Sequence, residues 1–168
     1  MTTRTIDIRH AIPADADGIA AVHVSAWTGA YAGIIPHKAL NGMLTRRGRD
    51  WWMNAIRRAT SILVVDLDGE VVGYATYGRN RVRELPEAGE IYELYIAPQY
   101  QGVGIGTRLF SAVREALADH GLTGLVVWAL ADNAGAMQFY EGLGGRDCAE
   151  GVEIFDARAL KKIAYTWG

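Results

Sequence analysis

The chain has 168 residues, which allows one ordinary domain and leaves no room for a second. Half the residues are hydrophobic and 21% are charged, a balance that suits a packed core and excludes a disordered chain. Seventeen basic residues against nineteen acidic ones leave a net charge of −2, so neither nucleic acid nor a membrane is expected as a partner. Cys148 stands alone, which rules out a disulfide framework and a multi-cysteine zinc site. The four histidines lack metal-ligand spacing, and no metal is expected. The opening MTTRTIDIRH lacks the apolar core of a signal peptide, and no apolar run approaches the roughly 20 residues of a membrane helix. A soluble, cytoplasmic protein is the expectation. Twenty glycines against four prolines is the odd feature, and their placement matters.

In chain order, residues 4–9 alternate polar and apolar as a half-buried strand does. Pro13 opens a helical pattern with Ile19, Val22, His23, Ala26 and Trp27 at spacings of three and four. The segment YAGIIP, 31–36, breaks it, and a second helix is predicted over 45–59 after a short connection. Residues 61–78 hold Asp68-Gly69 between two apolar runs and read as a β-hairpin. A strand follows at 90–96, a helix at 104–120 and an apolar strand at 122–130. A further helix starts near Asn133 and stops at Gly142 or Gly144. Two tail strands, about 145–155 and 159–167, complete a mixed α/β sheet that combines hairpins with a helical crossover.

Three of the glycines fall at alternate positions in LYIAPQYQGVGIGTRLF, residues 94–110, between a strand and a helix. Positions without side chains let backbone N–H groups approach a phosphate, and the helix N-terminus adds partial positive charge. The same glycines would also serve a plain tight turn. A Walker loop is excluded because Gly106 is followed by Thr107-Arg108 rather than Lys-Ser/Thr. A Rossmann fingerprint is excluded because the sixth position from Gly102 is Thr107.

Gln101-Gly102-Val103-Gly104-Ile105-Gly106 resembles the Q/R-x-x-G-x-G/A signature of the GCN5-related N-acetyltransferase superfamily. EIYELYIAPQY resembles that family's fourth strand, and Asn133 followed by Ala136 and Phe139-Tyr140 resembles its second motif. One departure is Leu143-Gly144, where the family has Gly-Phe. The resemblance implies a single N-acetyltransferase domain over 1–168. Its fold would be a mixed, mostly antiparallel sheet of about seven strands, with strands 4 and 5 splayed and about four flanking helices.

The resemblance also implies acetyl-CoA as co-substrate and an amine as acceptor. The amides of Gln101, Gly102, Val103, Gly104, Ile105, Gly106 and Thr107 would cradle the pyrophosphate. The backbone of Leu94, Tyr95 and Ile96 would pair with the pantetheine arm. Asn133 reads as a helix N-cap and, by resemblance, as a cofactor contact as well. Tyr140 matches the family's general acid, since a tyrosine hydroxyl can protonate a departing thiolate. Glu90 and Glu93 are the candidate bases; three apart, they lie on opposite faces of a regular strand unless a β-bulge redirects one. A water relay without a dedicated base is the alternative. Trp27 and Tyr31, four apart on one helix face, are candidates for the acceptor pocket or for core. A homodimer through the C-terminal strands is expected by resemblance alone. A silent CoA-binding regulator is the second function kept open, and a nucleotide-binding protein is a remote third.

Overall fold

The computed structural model describes residues 4–58 and 61–168. Twelve elements follow in chain order: β1 (Ile6–His10), α1 (Ala16–Tyr31), α2 (His37–Arg46), α3 (Arg49–Arg57), β2 (Ile62–Leu67), β3 (Glu70–Arg79), β4 (Gly89–Ile96), α4 (Ile105–Asp119), β5 (Leu125–Leu130), α5 (Ala134–Gly142), β6 (Arg146–Phe155) and β7 (Arg158–Trp167). The strands form one seven-stranded sheet in the order β1-β2-β3-β4-β5-β7-β6. Only β4 and β5 run parallel; every other neighbouring pair is antiparallel. Among the described residues, no helix is long and apolar enough to cross a membrane.

Pro13 and the acid that follows set the entry to α1. A short 3-10 turn over Pro13–Asp15 leads into the helix, whose buried face is Ala16, Ile19, Val22, His23, Ala26 and Trp27, as the spacing predicts. The Asp15 carboxylate accepts from the Ile12 amide at 2.8 Å and from Arg9 at 2.8 and 3.0 Å. Arg9 also donates to Asp66 of β2 at 3.0 Å, which ties the two strands to the helix start.

The predicted helix over 45–59 is observed as α3 from Arg49, while α2 (His37–Arg46) occupies what reads in the sequence as a short connection, so the described residues hold five α-helices rather than about four. Pro36 stands directly before α2, where its fixed φ suits a helix start. Gly48 adopts an extended φ/ψ of −78° and −169° as N-cap of α3, and the path breaks there. The end of the expected helix at 59 lies outside the described residues. The strand predicted from 122 begins at Leu125 because Gly121 and Gly124, at φ +73° and +78°, first turn the chain.

Two layers of apolar side chains sandwich the sheet. On one face α4 lays Leu109 and Val113, both fully buried, over Leu63, Val65, Val72, Ala75 and Ile91. On the other, α1 and α3 bury Ile19, Val22 and Trp52 against Ile62, Val64 and Tyr74.

The parallel pairing of β4 and β5 is short. It runs only from Gly89↔Leu125 to Ile91↔Val127. Beyond it β4 stays with β3 as far as Ile96, and β5 stays with β7 as far as Leu130. The two strands therefore splay, as the resemblance implied. The apex of the splay needs Gly89, because a Cβ there would stand 3.1 Å from both the Gly124 carbonyl oxygen and Leu117 Cδ1.

Candidate active site

A cleft of about 650 Å³ occupies the splay. Its walls are Leu94, Tyr95 and Ile96 of β4 on one side and residues 132–136, Phe139 and Tyr140 on the other. Gln101, Gly102, Gly104, Gly106 and Thr107 close one end, and Ala26, Gly29, Ala30 and Ile34 approach from α1 and the turn after it.

The glycine loop has two physical explanations rather than one. Gly102 and Gly104 adopt φ of +82° and +87°, a left-handed backbone that L side chains rarely take. Gly106 lies in the first turn of α4, and a Cβ there would stand 3.1 Å from the Phe139 ring. It is small so that α4 and α5 can approach. The first bond of α4 runs from the Arg108 amide to the Gly104 carbonyl at 3.2 Å. The amides of Ile105, Gly106 and Thr107 precede it and have no partner within the helix. Val103 points outward at 71% exposed and the Ile105 side chain is buried in the core, and neither residue lines the cleft. The Gln101 side chain donates to the Ile96 carbonyl at 2.9 Å and fastens the loop to the end of β4.

Asn133 caps α5 through its side-chain oxygen, which accepts from the Ala136 amide at 3.2 Å, and it also lines the cleft. Tyr140 is buried among Phe110, Phe139, Tyr165 and Trp167 and borders the cleft. Burial, with a smaller effect from Tyr31, pushes its hydroxyl well above the usual tyrosine range. It therefore keeps its proton at any physiological pH.

Trp27 and Tyr31 meet on β4. The Tyr31 and Tyr95 hydroxyls are 2.6 Å apart, and the Trp27 ring lies 5.5 Å from each of their rings. Trp27 is at the same time part of an apolar cluster with Ile35, Leu40, Leu130 and Leu160.

The two glutamates lie on one face of β4, because the strand is not regular. Glu93 pairs with Thr76 and Ile91 with Tyr77, so Tyr92 is an extra, bulged residue. Glu90 then sits opposite Gly78 and Glu93 opposite Thr76, both on the α1 side of the sheet. Each is held by an arginine. Glu90, 2% exposed, accepts from the Arg81 amide at 3.0 Å and from Arg81 Nη2 at 2.9 Å. Glu93 Oε1 accepts from Arg47 at 2.6 Å and from the Tyr74 hydroxyl at 3.2 Å; Oε2 accepts from Thr76 at 3.1 Å. Neither glutamate lines the cleft.

Arg47 occupies the break between α2 and α3, with its guanidinium 4.5 Å from the Trp51 ring and 5.7 Å from the Trp27 ring. Close by, His23 is fully buried, and burial followed by the Arg47 charge lowers it to about 4. Arg47 and Arg81 are the partners that the sequence did not reveal. A break at Gly48 was the one available signal for Arg47. Nothing local marked Arg81.

A sheet splayed beside a glycine-rich helix start matches known proteins. The model of the acetyltransferase (GNAT) family matches residues 33–144. The chain belongs to that family. It is 31% identical over 96% of its length to the N-acetyltransferase YuaI of Bacillus subtilis, of which it covers 92%. It is 30% identical over 71% of its length to mycothiol acetyltransferase of Paenarthrobacter aurescens, spanning 38% of that longer protein. The PaiA N-acetyltransferase of Thermoplasma acidophilum, solved in complex with coenzyme A, shares the fold at a TM-score of 0.76. That likeness covers 94% of this GNAT chain and 98% of the other at 18% identity.

Proposed function

We propose that this chain is an acetyl-CoA-dependent N-acetyltransferase that moves an acetyl group directly from the CoA thioester to a primary amine. The observation that carries the reading is a convergence on one cleft. An unpaired β4 edge, a left-handed glycine loop at a helix start and a buried, protonated tyrosine all face it. Family membership and the coenzyme A complex of a protein with this fold support the same reading.

Acetyl-CoA supplies an activated acetyl group, and the chain supplies its placement. The loop from Gln101 to Thr107 offers free amides and the positive end of α4 to the pyrophosphate. Gly102 and Gly104 let the backbone approach without a side chain between. Past Ile91 the β5-facing edge of β4 lacks a strand partner, and Leu94, Tyr95 and Ile96 offer it to the pantetheine amides. Asn133 at the start of α5 borders the same path. In the transfer a C–N bond forms and a C–S bond breaks; nitrogen sheds its proton to water, the departing sulfur takes the proton of the Tyr140 hydroxyl, and solvent returns a proton to Tyr140. Trp27 and Tyr31 stand behind Tyr95, which lines the cleft on the acceptor side. Glu93 holds Arg47 beside Trp27, Glu90 is paired with Arg81, and proton removal passes to water.

A cytoplasmic location and a homodimer belong to the same proposal. Among the described residues the outer edge of β6 is unpaired, and the strand exposes Val152 and Ile154 among charged side chains. An open strand edge of that kind offers backbone pairing to a second copy.

The test is a thermal melt with acetyl-CoA followed by thiol release across an amine panel. Acetyl-CoA is expected to raise Tm. Tyr140→Phe is expected to lower kcat by about 10²–10⁴-fold while protection by acetyl-CoA persists. An unchanged rate for Tyr140→Phe across the pH range would remove Tyr140 as the acid.

A further inference from the structure

We infer that the acceptor is a weakly basic primary amine of the α-amino kind, which enters the site neutral and docks on the Tyr31–Tyr95 hydroxyl pair. The inference rests on the acetyltransfer reading above and adds the acceptor class to it.

Among the described residues, no buried carboxylate on the acceptor side is free to take a proton. Both oxygens of Glu90 already accept from Arg81, and both oxygens of Glu93 accept from Arg47, Tyr74 and Thr76. The other groups on this side do not replace them. His23 of α1 is fully buried, with Nδ1 turned to the Tyr74 hydroxyl at 3.3 Å. Arg47 and Arg81 are cations, and Tyr74 of β3 and Tyr140 of α5 are protonated hydroxyls. Asp132, after β5, and Glu153 of β6 stand exposed at the margin, where water competes for any proton.

The hydroxyl pair itself is the docking point. When one of two hydroxyls donates to the other, the pair retains one O–H and three lone pairs. An amine N–H can donate to such a lone pair and leave its own lone pair for the acyl carbon. An ammonium there would have ring faces and hydroxyl lone pairs but no free carboxylate to hold its charge or take its proton, since Glu90 and Glu93 are already paired with arginines.

The consequence is arithmetic. At pH 7 a lysine-like amine is neutral about once in 2,500 molecules and an α-amine about once in seven. Without a protein base that ratio passes directly into the rate.

The experiment compares alanine amide with Nα-acetyl-lysine amide, with kcat/KM followed by thiol release between pH 7 and 9. The preference for the α-amine is expected to fall roughly 14-fold over that range, a change from which each amine's intrinsic reactivity cancels. The lysine amide should gain about tenfold per pH unit, and the alanine amide should level off near pH 8. These midpoints should not move in Glu90→Gln, Glu93→Gln, Asp132→Asn or Glu153→Gln. A plateau for the lysine amide across pH 7–9, or a midpoint that moves in any of the four variants, would overturn the inference. The unmodified enzyme's profile decides the matter should a glutamine variant fail to fold. Tyr31→Phe and Tyr95→Phe should each raise the amine KM at least fivefold with protection by acetyl-CoA intact. An unchanged KM in both would overturn the docking point. Release confined to the lysine amide would overturn this inference alone, whereas no release with any amine at any pH would overturn the acetyltransfer reading with it.

Discussion

At the scale of single residues, the acceptor side is governed by burial and by two arginines. His23 shows the first effect. Its ring is fully buried between Trp27 and Trp52, with centroids 4.5 and 5.9 Å away, and there the charged form is penalised. A histidine titrating at about 4 when folded and near 6.5 when unfolded binds its proton mainly in the unfolded state. Its contribution is therefore complete above pH 6.5 and is lost as pH falls toward 4. An NMR titration of the ring is expected to give a midpoint near 4, and a midpoint above 6 would contradict the buried placement. Asp15 works in the same direction at lower pH. Burial alone would raise it, but Arg9 and the Ile12 amide outweigh burial and hold it below the usual carboxylate range.

At the scale of elements, the glycine loop and the β4 bulge decide what the site can be. Gly104→Ala places a Cβ at φ +87°, and a non-glycine residue in that region costs about 1–2 kcal/mol. Denaturant unfolding is expected to show that loss, and the variant should also lose part of its protection by acetyl-CoA. Protection equal to wild type would separate the loop from the cofactor. Gly106→Ala presses on Phe139 instead, so its effect should be on the packing of α4 against α5. The bulge at Tyr92 was legible only as a possibility, because an extra residue in a strand leaves no composition signal. Helix α2 was missed and α3 was started four residues early for a related reason: Arg46, Arg47, Gly48 and Arg49 give no apolar period to mark where one helix stops and the next begins.

At the scale of the whole molecule, the α4 layer holds the floor of the cleft in place. Leu109 is fully buried at its centre, and Leu109→Ala is expected to cost about 2–5 kcal/mol in chemical denaturation. A loss below 1 kcal/mol would mean that α4 is not the packed layer described. The sequence by itself determined most of the element order and the glycine-rich strand-to-helix turn. It also determined the resemblance that named the family. Those features are local: a period of two or 3.6, a turn dipeptide, a fixed motif spacing. Only the tertiary structure decided that β4 and β5 part after three pairs, that Glu90 and Glu93 share a face, and that each faces an arginine. It also brought the Tyr31 hydroxyl to Tyr95, 64 positions away. Contacts of that kind depend on register and packing between distant segments, and register is a property of the assembled sheet rather than of any one strand.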